Sequence, residues 1–345
     1  MRLDFTRQAF AATFGANLAA KAASTAALAL FLASTMPIAS AQAQTIVRVA
    51  SFTPEGAVGV QNVMKPWMDA VQEELGDEIE MQAFWGGALG PNPFEQFDLV
   101  RDGVIDVAWV LPGYTPGQFT QLQVTELPFL LRTAEEASVV GQRLYESGVL
   151  GGFEDVHVVA VWAPDMTNIF VNEPVDSLEA LEGTSLRTAG STQAIFVDEM
   201  GAAPQTLGST EANEGMQRGT IDGQLQGWTG MKTFGGLAVA NGAYRVPLGA
   251  SPFLLLMNKD LWESLSPEVQ EVITKHAGEG LARRGGIAYD AATQAIVDEQ
   301  SGVEGFTINV ASDEDIARYE EAYAGVYDRW VAETENGEEV LATFR

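Results

Sequence analysis

Arg187 is the side chain in this sequence best placed to recognise a charged ligand. It closes a short strand at 185–187 and is followed at once by Thr188-Ala189-Gly190 and a helix at 193–200. From such a junction a guanidinium can reach a cleft formed at strand ends. Its planar fork of donors suits a carboxylate, because two parallel charge-assisted hydrogen bonds fix both distance and orientation. Taken on position alone, an arginine at a strand end is more often a surface residue. Aromatic side chains are the second resource. Trp85 and Trp228 each stand beside glycines in loops, whereas Trp109, Trp162, Tyr114, Phe170 and Phe253 occupy other strand ends or loops. Core packing is the default for any one of these rings. Rings freed from the core can stack on an aromatic ligand or face an onium group, with each cation–π contact contributing roughly 0.5 to 2 kcal/mol.

Residues for catalysis are scarce. The chain has two histidines, His157 in an apolar strand and His276 on a charged helix, and no cysteine. Neither spacing makes a metal site, and both histidines read as structural or solvated. No G-x-S-x-G elbow, Walker loop or dinucleotide fingerprint is present, and WGGALG at 85–90 has glycines at the wrong intervals. A tight turn after a strand is the better reading of that segment. Neither a cofactor nor a metal is expected.

The elements that must position these residues are organised around one phrase that occurs twice, VRDGVIDVAWV at 100–110 and MQRGTIDGQLQ at 216–226. Each copy follows an amphipathic stretch, stops at a glycine suited to a left-handed helix cap (Gly103, Gly219), and restarts with Ile-Asp as a strand. Asp106 and Asp222 read as residues that tie this turn together. Strands are expected at 46–51, 79–84, 105–111, 156–162, 169–171, 185–187, near 205, at 221–225 and at 253–257. Helices are expected at 58–75, 94–102, 178–181, 193–200 and 211–218, with 267–299 and 313–333 mainly helical and broken at glycines. Strands that alternate with helices imply two α/β lobes with largely parallel sheets. The loop at 111–128, rich in proline, glycine and glutamine, reads as a crossover lining a cleft.

The 345-residue chain carries a net charge of −28. Such a surface repels nucleic acid and anionic lipid, so neither is an expected partner. The N-terminus has a basic start (Arg2, Arg7), an apolar run at 22–31 too short for a comfortable membrane span, and small-residue cleavage sites near 39–43. It reads as a secretory signal peptide over residues 1–43. Its removal, which takes away Arg2, Arg7, Lys21 and Asp4, brings the charge from −28 to −30. An exported chain of this length can rely on its core without disulfides, as in a bacterial periplasm.

Several segments carry a specific likeness: GGALG at 86–90, the helix-Gly-Val-Ile-Asp unit ending at Asp106, GYTPGQF followed by ELPFLL at 126–131, LEGTSLRT around Arg187, and GAAPQTLGSTEANEGMQRGTIDG at 201–223. In these the chain resembles the substrate-binding proteins of tripartite ATP-independent periplasmic (TRAP) transporters, the DctP type. The resemblance implies a two-lobed periplasmic binding protein fold of type II-like organisation, with mixed, mostly parallel sheets, hinge strands and a long bracing C-terminal helix. Lobe I would comprise residues 44–163 with about 248–290, and lobe II residues 164–247 with about 291–345. The implied function is capture of a small organic acid in the periplasm and its delivery to the small and large membrane subunits of the transporter. The arginine corresponding to Arg187 would pair with the ligand carboxylate. Sialic-acid-type members place a second arginine on the strand near 167–170 and an asparagine after the Asp-Gly-Gln unit, where this chain has MTNIF and Gln226. With one cation retained, a monocarboxylate with an apolar, aromatic or onium remainder is expected. Arg187 would hold its acid group; Trp85, Trp228, Tyr114, Phe170 and Trp109 would enclose the remainder, and Gln226 and Asn168 would orient it. A sensory receptor or an enzyme on the same kind of fold are the competing expectations.

Overall fold

The computed structural model describes residues 44–345; the expected signal peptide at 1–43 lies outside them. Eleven strands form two sheets among the described residues. The first contains β1 (Thr45–Ala50), β2 (Ile79–Phe84), β3 (Val107–Val110), β4 (Val156–Trp162) and β10 (Phe253–Asn258), in the order β2-β1-β3-β10-β4. The second contains β5 (Asn168–Val171), β6 (Ser185–Thr188), β7 (Ala203–Thr206), β8 (Gly223–Gln226), β9 (Gly242–Arg245) and β11 (Thr307–Val310), in the order β11-β9-β5-β8-β6-β7. The helices, in chain order, are α1 (Lys65–Leu75), α2 (Gln96–Arg101), α3 (Ala134–Glu146), α4 (Ser191–Glu199), α5 (Ser209–Arg218) and α6 (Trp228–Phe234), then α7 (Lys259–Ser264), α8 (Pro267–Lys275), α9 (Gly278–Ser301), α10 (Asp313–Ala322), α11 (Gly325–Glu333) and α12 (Gly337–Phe344). None of the described helices is long and apolar enough to cross a membrane.

Each sheet runs in one direction apart from a single reversed strand. β10 is antiparallel to β3 and β4, and β5 is antiparallel to β8 and β9. The reversal follows from the path of the chain. Both strands are the first to be laid down after the backbone crosses from one sheet to the other, through 163–167 and 246–252. A chain arriving from the cleft enters its new sheet at the edge where the parallel strands end, and so must run against them.

The repeated phrase is a repeated βαβαβ unit. β1, β2 and β3 are ordered β2-β1-β3, and β6, β7 and β8 are ordered β7-β6-β8. Gly103 and Gly219 cap the preceding helical segments at φ of 71° and 70°, a left-handed conformation that glycine adopts without the Cβ clash. The aspartate then does the same work in both copies. Asp106 Oδ2 accepts from Arg48 N at 2.7 Å while its own N–H donates to Arg48 O, and Asp222 Oδ2 accepts from Ser185 N at 2.8 Å while its N–H donates to Ser185 O. Each carboxylate thereby satisfies an N–H of the neighbouring parallel strand. The register makes Arg48 equivalent to Ser185, and Ala50, paired with Ala108, equivalent to Arg187, paired with Gln224.

The long helix α9 braces both lobes. Over its 24 residues, about 36 Å at 1.5 Å per residue, Leu281, Ala282 and Tyr289 join the core beneath the first sheet, with Val63, Trp67 and Trp162. Ile296 and Val297 join a core beneath the second, with Phe170, Trp228 and Met231. Two strands absent from the sequence reading, β9 and β11, complete the second sheet as a parallel pair.

Candidate functional site

The cleft lies where the strands of both repeats end. Phe52 and Thr53 follow β1, Leu111 and Tyr114 follow β3, Arg187 and Ala189 stand at the end of β6, and Gln226, Gly227, Thr229 and Gly230 lie at and just after the end of β8. The crossing segments supply Asp165, Thr167 and Ser251, and α9 supplies Tyr289. Between them lies a partly open cavity of about 70 Å³.

Arg187 is 1% exposed. Its Nε donates to Leu207 O at 2.8 Å, Nη1 to Leu225 O at 2.9 Å, and Nη2 to Tyr114 Oη at 2.8 Å. The first two acceptors belong to the same sheet-and-helix unit as the arginine, and the third comes from across the cleft. A guanidinium has five N–H donors, so one N–H remains on each terminal nitrogen. Tyr114 Oη also lies 3.4 Å from Ser209 Oγ, which in turn accepts from Gln226 Nε2 at 2.8 Å. Arg187, Tyr114, Ser209 and Gln226 therefore form one connected polar wall.

The rest of the lining is largely aromatic. Trp109 packs against Phe253 with ring centroids 4.8 Å apart and against Phe52 at 6.0 Å, and Phe52 stacks on Phe234 from the opposite lobe at 6.5 Å, with the ring planes 7° apart. Asp165 is the acidic exception. Its carboxylate accepts from Thr229 Oγ1 at 2.5 Å and Thr229 N at 3.2 Å. Burial pushes its pKa up, and the hydroxyl and backbone donors of Thr229 pull it down in part. The two lobes touch backbone to backbone nearby: a Cβ on Gly190 would stand 2.8 Å from Gly113 Cα, and one on Gly113 would stand 2.8 Å from Ala189 O. Only glycine allows this approach.

Of the residues named from sequence, Arg187, Tyr114, Gln226 and Trp109 line this cleft. Trp228, Phe170, Trp85 and Asn168 do not, and their expected place around a ligand is corrected here. Trp228 is fully buried at the start of α6 and packs edge-on against Phe170 at 4.8 Å, in the core beneath the second sheet. Phe170 points into the same core because β5 is a central strand with apolar residues on both faces. Trp85 follows the edge strand β2 and rests, half-buried, on the core beneath the first sheet. Asn168 donates to Met166 O at 2.7 Å and faces a separate surface depression shared with Trp228. The reading from sequence missed Phe52, Phe234, Tyr289 and Asp165. Phe52 was open to the strand-end argument, since it directly follows the first strand of the repeat.

The family model for bacterial extracellular solute-binding proteins, family 7 (DctP), matches residues 49–334. A TRAP solute-binding protein from a marine metagenome, described as specific for aromatic acid ligands and holding metahydroxyphenylacetate, is 29% identical with a TM-score of 0.82, over 87% of this chain and 97% of that one. A TRAP solute-binding protein from Rhodoferax ferrireducens with copurified benzoate is 24% identical with a TM-score of 0.82, over 87% and 96% of the two chains. The 2,3-diketo-L-gulonate-binding periplasmic protein of Escherichia coli is 28% identical over 80% of this chain and 84% of its own. With the two-lobed fold and the strand-end cleft in place, the chain belongs to the DctP family of bacterial extracellular solute-binding proteins.

Proposed function

We propose that this protein is a periplasmic receptor for a small aromatic monocarboxylate, which it delivers to the membrane subunits of a TRAP transporter. The observation that carries the ligand class is the pairing of a single buried guanidinium, Arg187, with a lining of Phe52, Trp109, Tyr114, Phe234, Phe253 and Tyr289. The two remaining N–H groups of Arg187 would fork onto one carboxylate while Tyr114 and Gln226 flank it. A second carboxylate would meet no second cation and would face Asp165 instead. A ring fits the remaining surface, because aromatic faces and edges exchange water for dispersion contact without unpaired polar atoms. The marine metagenome relative, 29% identical and described as specific for aromatic acids, supports this reading. The same lining contains neither histidine nor cysteine, which favours a receptor over a catalyst.

The test is a calorimetric panel of benzoate, 3-hydroxybenzoate and mandelate against succinate and glycine betaine. An aromatic acid at 100 times its dissociation constant should stabilise the fold by about 2.7 kcal/mol. Tighter binding of succinate than of every aromatic acid would overturn the ligand class. The carboxylate reading as a whole would fall if no acid bound.

A further inference from the structure

Glu126 ends the 3-10 stretch Thr120–Glu126 and is 2% exposed, yet neither of its carboxyl oxygens has a hydrogen-bond partner. It is locked against the crossing segment 246–252. Ala250 N donates to Thr125 O and Thr125 Oγ1 donates to Ala250 O, both at 2.9 Å, and a Cβ on Gly249 would stand 2.6 Å from the Glu126 carbonyl carbon. Ser251, one residue further along, lines the cleft, and its Oγ accepts from Gln193 Nε2 at 3.1 Å. That hydroxyl lies close enough to favour the ionised carboxyl slightly but completes no well-formed bond to it.

An ionised carboxyl in such a place is costly unless a positive charge offsets it. The positive charge that offsets it in part is Arg187, which lines the same cleft as Ser251. The crossing segment 246–252 contains no titratable residue, and the 3-10 turn Pro112–Tyr114 brings only the Tyr114 hydroxyl, which is bonded to Arg187. The charged groups of the other packed elements, Asp198 and Glu199 on α4, Glu136, Arg143 and Glu146 on α3, and Glu338 and Glu339 on α12, are at the surface; Glu135 and Tyr145 on α3 are half-buried. Burial raises the Glu126 pKa to about 7, with Ser251 and Arg187 holding it from going higher.

We propose that Glu126 and the ligand carboxylate share the one buried guanidinium, so that capture of the anion by Arg187 is accompanied by uptake of a proton on Glu126. The inference rests on the reading of Arg187 given above. An anion at Arg187 cancels the charge that favours ionised Glu126, and the carboxyl then holds its proton to higher pH. Between the two titration points, binding takes up as much as one proton. Affinity is therefore highest with Glu126 neutral and declines as pH rises past the titration of the free protein. Asp165, also raised by burial and itself in the cleft, would act with the same sign, so the test must separate the two carboxyls.

Glu126→Gln makes that separation. Benzoate binding is measured by calorimetry in phosphate and in Tris, from about pH 6 to pH 9. For the unsubstituted protein the dissociation constant should rise by up to about tenfold per pH unit above neutrality, with proton uptake that depends on the buffer. The E126Q variant should bind with no proton uptake and with a nearly constant dissociation constant. Benzoate binding without proton uptake, or uptake that survives E126Q, overturns the proposal; surviving uptake would assign the proton to Asp165. A second measurement needs no ligand: the infrared carbonyl band of a protonated carboxylic acid, absent in E126Q, should titrate near neutrality and move to higher pH in Arg187→Gln. A missing band, or a titration indifferent to R187Q, overturns the coupling. If benzoate fails to bind while the band behaves as described, the aromatic-acid reading falls and the coupling of Glu126 to Arg187 stands.

Discussion

Replacing Arg187 with methionine keeps much of the side-chain length and removes the charge and every donor. Three of the five N–H groups are held by Leu207 O, Leu225 O and Tyr114 Oη, which leaves two for a ligand. Charge-assisted hydrogen bonds contribute about 1.5–3 kcal/mol each, and loss of one partner of a buried charge pair costs about 2–5 kcal/mol. A loss of about 3–5 kcal/mol is therefore expected, which is roughly a hundred-fold to several-thousand-fold in the dissociation constant. The effect on folding has opposing parts. The variant strands two buried carbonyls and a hydroxyl, but it also removes a charge from a desolvated site. Binding of benzoate is accordingly measured by titration calorimetry alongside urea unfolding. Arg187→Lys provides the finer test, since a point charge cannot fork onto a carboxylate, and at least about a tenfold loss is expected. A dissociation constant within threefold of the unsubstituted protein, in an R187M variant that still unfolds cooperatively, would refute the role of Arg187.

Trp228→Ala should act on folding, costing about 3–5 kcal/mol in chemical denaturation, because the ring is fully buried against Phe170; a weakened affinity in an equally stable variant would contradict that placement. Gly190→Ala should lower affinity at least about tenfold (about 1.4 kcal/mol), because its Cβ would stand 2.8 Å from Gly113 Cα and force the lobes apart; unchanged binding would show that the contact is not needed for closure. Gly219→Ala should destabilise by about 1–2 kcal/mol through its φ of 70°, read as a lower urea midpoint with an unchanged slope. Glu126→Gln should also change the pH dependence of stability. The carboxyl has a folded pKa of about 7 against an ordinary value of 4.5, so its neutral form is compatible with the fold at low pH and stability is lost as pH rises between those values. The variant should match the unsubstituted protein near pH 4 and exceed it by about 3 kcal/mol near pH 8; equal stability at both would show that Glu126 is not titrating in that range.

Arg187 and the repeated Gly-x-Ile-Asp unit were legible because local chain geometry governs both: a helix cap, a short strand, and a residue at the strand's carboxyl end. The aspartates could be assigned to the scaffold for the same reason, and the structure shows each one bonded to the N–H of the adjacent strand. The aromatic residues were less legible. Glycines beside Trp228 signal a loop, and the residue does follow Gly227, but it opens α6 and its ring turns inward onto Phe170. Nothing in the local sequence distinguishes that direction from the cleft. Phe234 and Tyr289 reach the cleft from helices whose placement depends on contacts far away in sequence, and Asp165 does so from a crossing segment. β9 and β11 were less legible because they pair with each other across a long separation in sequence, which local periodicity does not report.

The equivalence of Ala50 and Arg187 in the two βαβαβ units makes the cleft chemically one-sided. Two of the three hydrogen bonds that position the guanidinium stay within its own lobe, and one, to Tyr114, crosses the gap. Separating the lobes would break the crossing bond and leave the other two in place, so an open form would still present an oriented guanidinium with one more free donor. On the proposed reading, an incoming anion would be held first by the lobe that carries β6, with the aromatic face of the other lobe as its cover. Release would follow the reverse order, leaving the solute on a single wall and bound by its acid group alone.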